Sequence, residues 1–305
     1  MSRRPTIGVP AVNRRNTGGV PELPEVTALV ADLGARLVGA KVKRLDILSF
    51  SALKTFEVST DALAGQTIQS VSRHGKFLDF EIGDVDLVMH LARAGWIRWR
   101  AEAPKPSKAL GRGPLTARLI LDDGSGFDVT EAGTKKSLAI YLVRDPLEVP
   151  GIARLGPDPL DPAFTQQVFA DILGRAGRAQ IKGVLRNQAV IAGIGNAYSD
   201  EILHVARMSP FKPASMPAPD AVRLYEAVQA TLREAIARAE GLAASELKAE
   251  KKSGMRVHGR TGLLCPDCGD TVREVIFADS TLQYCPTCQT GGKPLADRVL
   301  SRLLK

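Results

Sequence analysis

Apolar residues recur at helical spacing near the start of the chain. Val26, Leu29, Val30, Leu33 and Leu37 fall on one face of a helix expected over residues 24–38. Short runs follow at 42–48, 67–73, 77–82, 86–92, 95–100, 115–121 and 138–143, each alternating or continuously apolar and punctuated by Gly, Asp or Pro. That rhythm predicts the strands of a β-sandwich or barrel. Residues 101–114, rich in Pro, Gly, Lys and Arg, read as a mobile surface loop. The rhythm then breaks. Pro146, Pro150, Pro157, Pro159 and Pro162 crowd residues 144–163, a density that interrupts both helices and strands and predicts a linker. Beyond it the spacing predicts helices over 163–174, 179–188, 197–206 and 219–240, whereas 247–262 is basic, contains Gly and has no clear period. The pattern is that of an α+β chain with more than one domain, β-rich first and helical second.

At 305 residues and 44% hydrophobic content the chain is long enough for two cores. Its net charge of +8 points to an anionic partner, nucleic acid first and an acidic membrane second. Four of those charges, Arg3, Arg4, Arg14 and Arg15, lie in an acid-free stretch over 1–20, and without them the total is 8 − 4 = +4. Charge alone is then a modest argument for DNA binding. No run reaches the ~18 apolar residues of a membrane span, and the first residues lack the apolar core of a secretory signal. A cytoplasmic monomer is expected, with residues 1–20 either a disordered extension or a mis-assigned start.

The cysteines cluster late. Cys265-x2-Cys268 and Cys285-x2-Cys288 are separated by sixteen residues. Paired knuckles at that spacing predict one zinc ion in a closed tetrahedral shell, a structural site with no open position for chemistry. The alternative, two disulfides, needs an oxidising compartment.

The run Pro21-Glu22-Leu23-Pro24-Glu25-Val26 carries the chemistry. A terminal proline offers a secondary amine as nucleophile, and the adjacent carboxyl group can donate or accept a proton. An α-amino group titrates nearer neutrality than lysine, so more of it is neutral and reactive. Within a peptide bond the same nitrogen is an amide with a delocalised lone pair and cannot attack. The plainer reading of the run is a Pro-led helix start, with Pro24 in the first turn.

Together with HGKF at 74–77, GIGNAYSDEIL at 193–203, HGRTG at 258–262 and the four-cysteine pattern, PELPEV at 21–26 resembles the formamidopyrimidine-DNA glycosylase and endonuclease VIII family of base-excision repair enzymes. The resemblance spans roughly residues 21–290. It implies an N-terminal β-sandwich domain over 21–143, the linker at 144–163, and a helix–two-turn–helix domain over 164–250. A basic loop and zinc finger over 251–290 and a tail over 291–305 would follow. Double-stranded DNA carrying a damaged base or an abasic site would lie in the cleft, with the damaged nucleotide flipped out; on DNA the protein would be nucleoid-associated. Pro21 is implied as nucleophile, Glu22 as acid/base and Lys76 as a catalytic lysine at the phosphate, while Glu25 and Glu201 support the cleft. Arg93, Lys182, Asn196 and Arg260 are the implied DNA contacts, with Asn196 also capping a helix whose N–H groups hold a phosphate. The implied activity is base excision through a Pro21 Schiff base and β-elimination. Lys248, Lys251, Lys252, Arg256 and His258 fall where the family has a lesion-covering loop.

The chain also departs from the family pattern. Arg93 stands where many relatives place Met, Thr134-Lys135-Lys136-Ser137 replaces an aromatic wedge, and Ser280 replaces an Arg of the finger. The last change removes a charge-assisted phosphate contact and bears on δ-elimination. Val20 precedes Pro21, and the valine codon GTG is also a bacterial initiator. Translation is therefore expected to start at codon 20, with methionine removal exposing Pro21. Were Pro21 blocked, the alternative is a non-catalytic damaged-DNA-binding protein.

Overall fold

The computed structural model describes residues 20–102, 114–132, 136–277 and 280–295. Most of the loop expected over 101–114, the stretch before Val20, Thr134, Lys135 and the tail beyond 295 lie outside them. Helix α1 (Leu23–Leu37) opens the fold, with Pro24 in its first turn. Strands β1 (Val42–Ile47), β2 (Ile68–His74), β3 (Phe77–Ile82), β4 (Val85–His90), β5 (Gly95–Arg100), β6 (Leu115–Leu121), β7 (Gly126–Glu131) and β8 (Ala139–Val143) follow. They form two antiparallel sheets, ordered β1-β6-β7-β5 and β2-β3-β4-β8.

Alternation sends Leu78, Phe80, Ile82, Leu87 and Met89 from one sheet, and Leu119, Phe127 and Val129 from the other, into a shared core. Phe80 and Phe127 stack across it at 5.6 Å. Val26, Leu29, Leu33 and Leu37 of α1 join the same core, as the helical spacing requires.

Strand β7 escapes the sequence pattern because it carries a buried acid. Asp128 accepts from Arg118 Nε at 2.6 Å and Arg100 Nε at 3.0 Å. Burial pushes its carboxyl up in pKa, but the two guanidinium groups outweigh this and hold it below the usual range.

Part of the stretch 144–163 packs on the sandwich. Val149 and Ile152 bury against Val88 and Val143 on the outer face of β4 and β8, so β4 is covered on both faces, as its continuous apolar run requires. The second core gathers α2 (Gln166–Ala176), α3 (Ile181–Arg186), α4 (Asn196–Val205) and α5 (Ala218–Ala239) around Phe169, Leu185, Ile194, Tyr198, Ile202, Leu224 and Leu232. The segment without clear periodicity contains a further helix, α6 (Leu247–Gly254). Its inward positions are Leu247 and Lys251, one apolar and one charged, so no apolar period appears. Leu247, with Ala239 and Ala244, packs into the sandwich core. Hairpin β9 (Arg273–Ile276) and β10 (Thr281–Tyr284) precedes a short α7 (Pro286–Thr290).

Candidate functional site

Glu22, next to Pro21, meets the start of α4. The Glu22 carboxylate accepts from the N–H groups of Gly195 at 2.6 Å, Ala197 at 2.9 Å and Tyr198 at 3.3 Å, and Leu23 N–H donates to the Gly193 carbonyl at 3.1 Å. A Cβ on residue 195 would fall 2.4 Å from the Glu22 carboxyl carbon, so glycine is required there by close approach. This corrects two expectations. Asn196 does not cap α4; it is the first helical residue, and its Nδ2 donates to the Thr281 carbonyl at 2.8 Å. The N–H groups expected to hold a phosphate instead hold Glu22, whose charge suits the positive end of the helix.

Glu25 lies one turn along α1. It accepts from Tyr198 Oη at 2.6 Å, from Lys251 Nζ at 2.7 Å and from the Glu22 N–H at 2.8 Å. Lys251 is therefore not part of a solvated basic loop. It is 4% exposed, donates to the Val20 carbonyl at 2.8 Å and lies 3.9 Å from Glu22 Oε1. Its inward turn follows from its place one helical turn after Leu247. Lys76 extends from the β2–β3 turn, where Gly75 adopts φ +55°, and donates to the Ile194 carbonyl at 3.0 Å.

The charges interact strongly. Burial pushes the Glu22 carboxyl up, yet Lys251, Lys76 and the Ala197 N–H outweigh it and hold its pKa below the ordinary carboxylate value. For Glu25 burial wins over Lys251 and Tyr198, and its pKa is raised. Burial lowers that of Lys76, opposed in part by Glu22. The Tyr198 phenol is driven far up, by burial first and then by Glu25. His90 packs on the Phe77 ring at 4.6 Å, and burial takes its pKa down to about 4.

Helix α4 also organises the far side of the site. Glu201 accepts the N–H groups of Arg256 at 2.7 Å, Val257 at 3.0 Å and His258 at 2.8 Å, fixing that turn. Lys182 is 6% exposed and is committed to Asp200 at 2.5 Å, Ser199 at 2.8 Å and the Asn196 carbonyl at 3.2 Å. Its ammonium thus faces inward, away from the phosphate contact expected of it. Asp200, which the sequence did not single out, also bonds His258 Nδ1 at 2.8 Å. Its only sequence signal was an acid at an inward position of α4. Arg93 is exposed in the β4–β5 turn, and Arg260 reaches the Leu264 carbonyl at 3.4 Å. Ser280 closes the β9–β10 turn through its carbonyl, which accepts from Phe277 N–H at 2.8 Å.

The thiols of Cys265, Cys268, Cys285 and Cys288 lie within 4.8 Å of one another. Separations of 3.3 Å for Cys268–Cys285 and 3.9 Å for Cys265–Cys288 are far beyond a disulfide bond. They match the edges of a tetrahedron around one metal ion. The four soft donors fit such an ion, and His204 of α4 lies against Cys265 Sγ at 3.2 Å. No helix among the described residues is long and apolar enough to cross a membrane.

Comparison with known proteins bears on the whole assembly. Residues 20–132 match the formamidopyrimidine-DNA glycosylase N-terminal domain, and residues 155–246 match the H2TH domain of the same enzymes. A formamidopyrimidine-DNA glycosylase of Symbiobacterium thermophilum is 36% identical over 282 residues, covering 88% of this chain and 89% of the relative. An uncharacterised formamidopyrimidine-DNA glycosylase-like protein of Mycobacterium tuberculosis is 59% identical over 152 residues, or 50% of this chain and 94% of that one. The MutM (Fpg) protein of Thermus thermophilus superposes with a TM-score of 0.74 at 32% identity, covering 90% of this chain and all 100% of its own. The Lactococcus lactis enzyme in complex with DNA containing an abasic site gives 0.77 at 27% identity, over 88% and 99% of the two chains. Sequence and fold agree that this chain belongs to the formamidopyrimidine-DNA glycosylase family.

Proposed function

We propose that the protein is a DNA glycosylase and AP lyase that excises oxidised or ring-opened bases from double-stranded DNA, with Pro21 as nucleophile. One observation carries the reading: Glu22, adjacent to Pro21, is seated on the start of α4 with Lys76 converging on the same turn. The amine acts where Pro21 is the first residue, its nitrogen free of a peptide bond. It attacks C1′ of the damaged nucleotide as the bond from C1′ to the base breaks, and the base leaves with the amine's proton; the C1′–O4′ bond then opens as O4′ receives a proton from Glu22. The iminium ion that results acidifies the C2′ proton; its removal expels the 3′ phosphate by β-elimination. Glu22 holds and moves the proton at the sugar. Lys76 contacts the phosphate beside the lesion and assists the elimination. Zn2+ is the proposed ion of the four-cysteine centre, where it would hold the finger against α4. Asn196, Arg93 and Arg260 are proposed DNA contacts; Lys182 acts indirectly, by fixing Asp200 and the start of α4.

The amide at Pro21 favours a second reading, a non-catalytic binder of damaged DNA. Borohydride trapping on abasic DNA separates the two, using chains that begin at Met1 and at Pro21. Covalent trapping by the shorter chain, lost on Pro21→Gly, supports the enzyme. Tight binding by both without trapping overturns it in favour of the binder.

A further inference from the structure

Lys251 has no part in the activity proposed above, yet its ammonium meets Val20 and groups of α1 and α4 beside Pro21. Its ammonium is 2.8 Å from the Val20 carbonyl oxygen. That oxygen and the Pro21 nitrogen share one peptide unit, so the ammonium lies within about 5 Å of the proposed nucleophile. It binds Glu25 at 2.7 Å, faces Glu22 at 3.9 Å and rests over the Tyr198 ring at 4.8 Å. Three elements distant in sequence, α1, α4 and α6, therefore meet at one buried cation. A lysine is rarely buried at 4% exposure unless its charge is answered, and here two carboxylates answer it.

We infer that Lys251 is a positioning residue for the Pro21–Glu22 pair: it fixes Glu25, whose carboxylate in turn holds the Glu22 N–H, and it sets its positive charge beside the buried Glu22 carboxylate, contacts that do not depend on Val20. The inference rests on the reading of Pro21 and Glu22 given above. Other charges also face Glu22. Lys76 approaches from the β2–β3 turn and His258 from the turn after α6, both favouring its ionised form. Glu25 is the neighbouring acid on α1, and Tyr198 of α4 meets both, its phenol donating to Glu25 and its N–H to Glu22. Lys251 leads the favourable charges on Glu22. An opposite charge at this distance moves a carboxyl by about one to three pH units.

The test is a carbon NMR titration of full-length protein labelled at the glutamate carboxyl carbons, without DNA, assigned with Glu22→Gln and Glu25→Gln. In Lys251→Gln and Lys251→Met the Glu22 midpoint is expected to rise by about one pH unit or more, and in Lys251→Arg to stay near that of the unaltered protein. A Glu22 titration that superposes in all four proteins overturns the inference. So does the unfolding of both neutral variants while Lys251→Arg folds, because the lysine is then only a structural ion. In whichever chain traps abasic DNA, the acid limb of the trapping rate is expected to move up in the neutral variants and return with Arg. Absence of trapping altogether defeats the proposed activity and leaves the titration to decide this inference separately.

Discussion

Glu22→Gln separates the charge of the Glu22 seat from its shape. The carboxylate accepts N–H bonds of 2.6, 2.9 and 3.3 Å, two at one oxygen and one at the other. An amide keeps one acceptor. With its oxygen toward Gly195 and Tyr198, its NH2 group opposes the Ala197 N–H. An unmet buried donor costs about 1–3 kcal/mol, and converting charge-assisted bonds to neutral ones costs roughly 1 kcal/mol more. The attraction to Lys251 at 3.9 Å, about 4 kcal/mol at an effective dielectric of 20, disappears with the charge. The cost of burying that charge, several kcal/mol, disappears with it. Taking these last two as cancelling, the variant should lose about 2–4 kcal/mol at neutral pH. Urea unfolding followed by circular dichroism measures it. The pH dependence has a definite sign. The folded pKa of Glu22 lies below its ordinary value of 4.5, so its stabilising contribution is present above that value and is lost as pH falls through the folded pKa. The gap between the two proteins should therefore narrow in acid. Equal urea midpoints at neutral pH, or a gap that does not narrow toward about pH 3, would refute the reasoning.

Two further outcomes follow from the site. Asp200→Asn keeps the shape of a residue that bonds both Lys182 and His258, but leaves the Lys182 ammonium buried without its counter-charge; a loss of about 3–5 kcal/mol is expected in the same urea assay, and an unchanged midpoint would count against the pairing. A thiol-reactive mercurial should release one zinc ion per chain, measured with a chromogenic chelator, and increase amide exchange at β9 and β10; release of no metal from protein purified without chelators would exclude zinc at the four cysteines.

The sequence by itself determined most of the architecture. Apolar period fixed α1, because one face of a helix must be covered. Alternation and punctuation fixed the sandwich strands except β7, whose Asp128 is met by Arg100 and Arg118 from neighbouring strands, while the short β9 and β10 of the finger left no such trace. The cysteine spacing foretold the four-thiol cluster, a set that could hold a metal ion, since ligands from two short knuckles converge locally. What only the tertiary structure decided is which partner each charged or polar group meets. Asn196 looks like a cap in one dimension, yet the cap of α4 is Glu22, 174 residues earlier by subtraction of 22 from 196. Lys251 belongs to a basic run in sequence and to a buried ion cluster in space. Lys182 and Asp200 lie on successive helices, and only the packing of α3 on α4 shows that they neutralise each other. Apolar burial leaves a periodic trace because any apolar neighbour satisfies it. A buried charge needs one particular partner at one distance and direction, and that partner can come from anywhere along the chain.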